Sequence, residues 1–137
     1  LPVALDCAKK SDVLRDDIRD FTIPLCANIH LCGSALTETF LVMTVSQVLY
    51  GKLPSVSTMV LFVFLLGIFA VGAPGVPGGT VMASLGIITG VLGFNDEGVA
   101  LLITIYALQD SFGTACNITG DGAIALMLTA IADKKGM

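Results

Sequence analysis

The sequence predicts an all-α integral membrane protein, and two observations lead to this fold class. Apolar residues make up 55% of the 137 residues, charged residues only 13%, and the mean hydropathy is +0.90, whereas a soluble domain carries about 25% charged residues. Residues 53–95 contain no charged side chain, which is enough chain for about two crossings of roughly 20 residues each. We therefore expect a multi-pass protein of the cell membrane, in contact with the lipid bilayer.

The composition and motifs also exclude several classes of function. A net charge of −4 without a cluster of basic residues argues against a nucleic-acid partner. The sequence contains no G-x-S-x-G, P-loop or H-E-x-x-H motif and no visible nucleophile–base pair, so we expect neither an enzyme nor an organic cofactor. The four cysteines form no C-x-x-C pair, and we interpret them as small packing residues.

Residues 1–20 combine a short apolar start with a stretch of interleaved basic and acidic side chains. We predict a water-facing linker or a surface helix there. The chain begins at Leu1 and not at a methionine, so we expect a fragment or a processed chain.

Residues 21–51 form the first apolar segment, and its middle is unusually polar. Five residues interrupt the apolar pattern: Asn28, His30, Cys32, Gly33 and Ser34. Polar groups at membrane depth usually face a protein interior or a water-filled cavity. We predict an interrupted transmembrane helix, whose freed backbone carbonyls can bind a cation. The alternative is a continuous helix with small polar packing residues.

Residues 55–93 consist of two apolar arms around the sequence GAPGVPGG at 72–79. Four glycines and two prolines in that stretch cannot continue a helix. The second arm, residues 80–92, would extend only about 20 Å, short of the roughly 30 Å hydrocarbon core. We predict a re-entrant helical hairpin with its tip buried in protein, and the alternative is two crossings joined by a tight turn.

Residues 99–132 form the last apolar segment, which carries a polar stripe. Asp110, Thr114, Asn117 and Asp121 are spaced by four, three and four residues, so on a helix they lie within roughly 60° of one another. No lysine or arginine within 99–132 pairs with the two acids. A metal cation, a proton or a cationic group of a substrate would supply the missing positive charge. A polar packing seam between helices is the alternative.

These motifs together resemble the dicarboxylate/amino acid:cation symporter family, the glutamate-transporter homologues. PLCANIHLCGSAL, within residues 21–51, is similar to the family's interrupted seventh helix. GAPGVPGG is similar to the tip of its second hairpin, and DSFGTACNITGD at 110–121 to the substrate- and sodium-binding stretch of its eighth helix. Residues 1–3 resemble the end of the first hairpin. The chain thus resembles the C-terminal part of the family's transport domain.

The resemblance implies a fold, a mechanism and partners. It implies part of an elevator-type transport domain that carries a small amino acid or carboxylate across the membrane together with sodium ions. The second hairpin would act as the gate. The expected partners are the small-molecule substrate, the remaining N-terminal scaffold of the transporter and the other subunits of a homotrimer.

The resemblance also implies the residues of the site. The substrate would be bound by Ser34, Val76, Asp110, Thr114 and Asn117. One sodium site would consist of Asp121, Asn117 and the backbone carbonyls of Cys26 and His30. A second sodium site would use the backbone carbonyls near Val71 and Ala73.

Three positions depart from the family pattern. Cys32 stands where the family has an aspartate, and Tyr106 where an aspartate is common. Gly113 stands where members that carry acidic amino acids have an arginine, so a bidentate clamp for a second carboxylate is missing. We expect open space beside Gly113 and a preference for a neutral amino acid.

Two hypotheses about function follow. The first is sodium-coupled, or alternatively proton-coupled, secondary transport, with this chain forming the substrate- and cation-binding part. The second is a partial or degenerate relative of such transporters with a structural or regulatory role in the membrane.

Overall fold

The computed structural model describes residues 1–73 and 76–136, and every regular element among them is an α-helix. These helices are α1 (Pro2–Ala8), α2 (Asp16–Ile29), α3 (Cys32–Tyr50), α4 (Val56–Gly72), α5 (Gly79–Gly90) and α6 (Asp96–Lys135). The predicted all-α class is therefore confirmed. Pro74 and Gly75 of the predicted hairpin tip lie outside the described residues.

Two helical stretches are long and apolar enough to cross a membrane, judged by length and composition: Asp16–Tyr50 and Asp96–Lys135. The first of them contains the junction between α2 and α3. The hairpin helices α4 and α5 have 17 and 12 residues, fewer than the about 20 that a full crossing needs. These lengths suit a re-entrant hairpin, whose course through a membrane stays a prediction.

The ends of the helices follow from local sequence. Ser55 begins α4 by accepting a hydrogen bond from the N–H of Thr58 at 3.2 Å. Asn95 begins α6 in the same way, accepting from the N–H of Gly98 at 3.0 Å. Side-chain oxygens at this position satisfy N–H groups that the helix itself leaves unpaired.

Two boundaries differ from the predicted ones because charged residues extend the helices. α2 begins at Asp16 and not at residue 21, and α6 runs from Asp96 to Lys135 and not from 99 to 132. Acidic residues lie in the first turn of both helices, and Lys134 and Lys135 lie in the last turn of α6. These charges oppose the helix dipole and stabilise the ends.

The longest helix, α6, is the element against which α2, α3 and α5 pack. It packs most extensively against α3, and it also contacts α2 and α5. The main core lies between α3, α4, α5 and α6 and includes Val42, Val45, Phe62, Leu66, Val81, Ile88, Leu102 and Tyr106. As a result, the α2–α3 junction and the hairpin tip both lie along the polar stripe of α6.

Candidate functional site

The helix predicted over residues 21–51 is interrupted at His30 and Leu31. α2 ends at Ile29, His30 has φ −107° and ψ 83°, and α3 begins after Leu31 with φ −109° and ψ 41°. The backbone thus forms two helices here, as the interrupted-helix prediction expected, and not the continuous helix that was its alternative. Such a break leaves the first N–H groups of α3 without partners in their own helix, and Leu31 offers no side-chain cap.

Asn117 of α6 provides the missing cap. Its Oδ1 accepts hydrogen bonds from the N–H groups of Gly33 at 2.8 Å and Ser34 at 3.3 Å, and its Nδ2 donates to Ser34 Oγ at 2.9 Å. Asn117 is buried, so these bonds are shielded from water. An oxygen that faces two N–H donors is poorly suited to bind a cation, which argues against the predicted sodium role for this side-chain atom.

Gly33 lets α3 approach α6 this closely. A Cβ atom on Gly33 would collide with the carbonyl oxygen of Gly113 and the Cβ of Cys116. A Cβ on Gly113 would lie 3.4 Å from the backbone N and Cα of Ser34. The expected open space beside Gly113 is therefore not there, because the start of α3 fills it.

A cavity of about 170 Å³ lies where the helix break, the hairpin tip and α6 meet. Its wall includes all five residues predicted to bind substrate, namely Ser34, Val76, Asp110, Thr114 and Asn117, together with Asp121. Asp110 and Asp121 are the charged side chains among the described lining residues. The volume is below the roughly 300–1,000 Å³ of sites for drug-sized ligands, so the cavity suits a small molecule with a positively charged group.

The hairpin tip contacts α6 through Asp110. The backbone N–H of Gly78 donates a hydrogen bond to Asp110 Oδ2 at 3.2 Å. Gly78 has φ +74°, a conformation that glycine adopts without strain. This contact brings the N-terminus of α5 to the cavity, where Gly79 and Thr80 form part of the wall.

Asp121 lies beneath the helix break and is only 1% exposed. Its Oδ1 is 2.8 Å from Nδ1 of His30, and its Oδ2 has no hydrogen-bond partner within residues 1–73 and 76–136. Cys26, one turn before the break, is also buried, and its carbonyl accepts the N–H of His30 at 2.8 Å. The structure thus brings together Asp121, His30 and Cys26 of the first predicted sodium site.

A sodium ion fits part of this arrangement. The unpaired buried Oδ2 of Asp121 is the kind of oxygen that a hard cation satisfies. No group of three or more His, Cys, Asp or Glu side chains that could hold a metal ion is found in the described part of the chain. A cation at Asp121 would therefore take its other ligands from backbone carbonyls, as the sequence predicts.

The second predicted sodium site lies at the end of α4. Val71 is exposed in the last turn of α4, whereas Ala73 is buried and donates its N–H to the carbonyl of Ala70 at 3.2 Å. Neither residue is part of the described wall of the cavity. This site stays a prediction.

Sequence reasoning assigned no role to Glu38, which the structure buries completely. Glu38 on α3 accepts a hydrogen bond from the Ser84 hydroxyl on α5, and its Oε2 has no partner among the described residues. The available signal was that Glu38 is the single charged residue of the apolar segment 21–51. Its partner on α5 could not be read from helical periodicity.

Comparisons with known proteins identify a family that this chain matches over most of its length. The model of the sodium:dicarboxylate symporter family matches residues 1–131. The chain is 31% identical over 121 residues to excitatory amino acid transporter 3 of Mus musculus, a match of 88% of this chain and 23% of that protein. It is 31% identical over 125 residues to the serine/threonine transporter SstT of Acinetobacter baylyi, covering 88% of this chain and 31% of that protein.

The chain therefore spans about a quarter to a third of the length of these curated relatives. No solved structure matches it.

Proposed function

The chain belongs to the sodium:dicarboxylate symporter family, and from that premise we propose that it forms the substrate- and cation-binding part of a sodium-coupled transporter for a small amino acid. Its relatives in this family are transporters and not enzymes. The observation that carries the proposal is that one cavity is lined by the helix break, the hairpin tip and the two acids of α6.

Each end of an amino acid has a matching partner in the cavity. The carboxylate of Asp110 is the partner for the substrate ammonium, and Thr114 lies one turn further along the same wall. The N-terminus of α5 lies at the cavity, at Gly79 and Thr80, whereas Asn117 already accepts the N–H groups of Gly33 and Ser34 at the start of α3. A helix N-terminus attracts anions, so the start of α5 is the partner for the substrate carboxylate.

The charge of the cavity favours a neutral amino acid. Its described wall contains two carboxylates and no lysine or arginine, so a second carboxylate on the substrate would meet repulsion and no clamp. The two relatives differ in the substrates for which they are named, since one is named for excitatory amino acids and the other for serine and threonine. The start of α3 lies beside Gly113, so the neutral preference comes from the charge of the wall and not from open space at that glycine.

The remaining features of the proposal follow from the family. The complete transporter would be a homotrimer in which this part moves against an N-terminal scaffold, with the hairpin tip as the gate. Sodium would bind at Asp121, with backbone carbonyls at Cys26 and His30, and a second ion near Val71 and Ala73.

The test is uptake into proteoliposomes that contain the intact transporter. We expect an inward sodium gradient, and not a potassium gradient, to drive uptake of labelled serine. Unlabelled alanine or threonine should compete more strongly than aspartate or glutamate, on the order of tenfold to a hundredfold, the worth of a charge-assisted hydrogen bond. Stronger competition by aspartate would contradict the neutral preference, and uptake driven only by a proton gradient would contradict sodium coupling.

A complete lack of uptake, whichever ion gradient is applied, would favour the alternative of a degenerate relative. A variant with Asp110→Asn separates this outcome from a poor preparation. The substitution should weaken binding of serine while the protein keeps its thermal stability, because Asp110 is only half-buried.

A further inference from the structure

The His30 side chain packs beside Asp121, in a space that Gly120 leaves open. The ring approaches Asp121 from the end of α2, with Nδ1 at 2.8 Å from Oδ1 of a carboxylate that is 1% exposed. A carboxylate only accepts, so the hydrogen lies on Nδ1, and this holds for both the neutral and the protonated ring. The contact thus exists in either charge state of His30.

Gly120 supplies the space for the ring. A Cβ atom at this position would collide with Cε1 of His30 and would lie 3.2 Å from Nδ1 and 3.4 Å from Nε2. Gly120 is inside α6 and has no unusual backbone angle that would require glycine. Its lack of a side chain therefore matters here for the imidazole and not for the backbone.

We propose that His30 sets the cation affinity of this transporter, by holding Oδ1 of Asp121 and so weakening the binding of sodium to that carboxylate. This inference rests on the proposed function, since it concerns the cation site of the same transporter. Sodium must either displace the ring and break a charge-assisted hydrogen bond, or bind through Oδ2 while Oδ1 stays engaged. In both cases the carboxylate binds sodium less tightly than a carboxylate with two free oxygens would.

The groups around Asp121 support this role. Cys26 of α2 and His30, just after the end of α2, are the groups that interact with it from that side. Asn117, one turn earlier on α6, has its side-chain oxygen bound to N–H groups of α3. His30 is thus the hydrogen-bond donor to Asp121 in the described part of the chain. Removing the ring should free both carboxylate oxygens for the ion.

The experiment measures sodium affinity on the purified intact transporter by titration with sodium chloride at one pH. His30→Ala should tighten sodium binding on the order of tenfold or more, the worth of the lost hydrogen bond. His30→Asn places an amide donor near the position of Nδ1 and should restore affinity close to that of the unmodified protein. Asn28→Ala is the matched control, because the Asn28 side chain is exposed and donates to the carbonyl of Pro24 in its own helix.

A second pair of variants tests the same contact if His30→Ala folds poorly. Gly120→Ala should displace the ring and tighten sodium binding in the unmodified background. In the His30→Asn background, which has no ring to displace, the same substitution should have a much smaller effect. Equal effects in both backgrounds would overturn the inference.

The outcomes separate this inference from the proposed function. Sodium binding that is unchanged or weaker in His30→Ala, with normal binding of serine, overturns the role of His30 and leaves sodium-coupled transport intact. Sodium binding by none of the proteins overturns both.

Discussion

The two ends of the α6 stripe contact the rest of the chain in different ways. At the break contact, formed by Asn117 and Asp121 with residues 30–34, the hydrogen bonds of Asn117 are buried and that of His30 to Asp121 is partly buried. A Cβ at Gly33 would collide with α6. At the tip contact, Asp110 accepts a partly buried hydrogen bond of 3.2 Å from Gly78. A Cβ at Gly78 would meet no atom of residues 1–73 or 76–136 within 4 Å.

This difference indicates that the two contacts have different functions at the cavity. Buried, fully packed hydrogen bonds are costly to break, whereas a loosely packed segment opens at low free energy. We infer that the break contact holds the binding groups in place and that the tip contact opens and closes the cavity. The following experiments compare the two contacts.

The largest difference should appear between the two carboxylates. Asp121→Asn keeps the shape of the side chain and removes its charge, so it should abolish sodium-dependent binding of substrate, with sodium affinity falling at least about a hundredfold. Asp110→Asn should leave sodium binding in place and weaken serine binding by about tenfold to a hundredfold. Titrations with sodium chloride and with serine on the intact transporter measure both.

Unchanged sodium dependence in Asp121→Asn would refute the assignment of that carboxylate to the cation. Equal loss of sodium binding in both variants would show that the stripe acts as one site and would remove the distinction between the two contacts.

A smaller effect is expected from adding a methyl group at the break contact. Gly33→Ala should destabilise the protein by about 1–3 kcal/mol, the usual cost of overpacking, because the new Cβ would collide with Gly113 and Cys116. Gly122→Ala on α6 is the control, since a Cβ there would meet no atom of the described residues within 4 Å. Thermal unfolding in detergent compares them, and equal midpoints would mean that α3 and α6 are not in close contact.

The smallest effect concerns the populations of the tip. In a protein whose exposed cysteines are replaced, spin labels at Val76 and Phe112 should report two distances whose ratio changes when sodium and serine are added. Labels at Leu36 and Phe112, which are exposed on α3 and α6, should report one distance throughout. Two distances for the second pair would contradict a fixed break contact. One distance for the first pair under all conditions would contradict a moving tip.

Much of the fold follows from local sequence. Apolar segments predict helices, the polar run around Gly33 marks the break, and the Gly/Pro run at 72–79 ends α4. The spacing of Asp110, Thr114, Asn117 and Asp121 places them on one side of α6, and the structure brings all four to one cavity. These features depend on residues within a few turns of one another, so periodicity and propensity are sufficient to predict them.

The partners of these residues were decided by the tertiary structure. The sequence leaves open whether the acids meet a metal ion, a proton or a substrate. The predicted sodium site brought the backbone carbonyl of His30 close to Asp121, but nothing in the sequence indicates that the imidazole ring of His30 contacts that carboxylate. The sequence also does not indicate that Asn117 caps α3, or that α3 fills the space beside Gly113. Such contacts depend on how two helices cross, because the approach of α3 to α6 is set by side-chain volumes on both surfaces, which no pattern along a single helix contains.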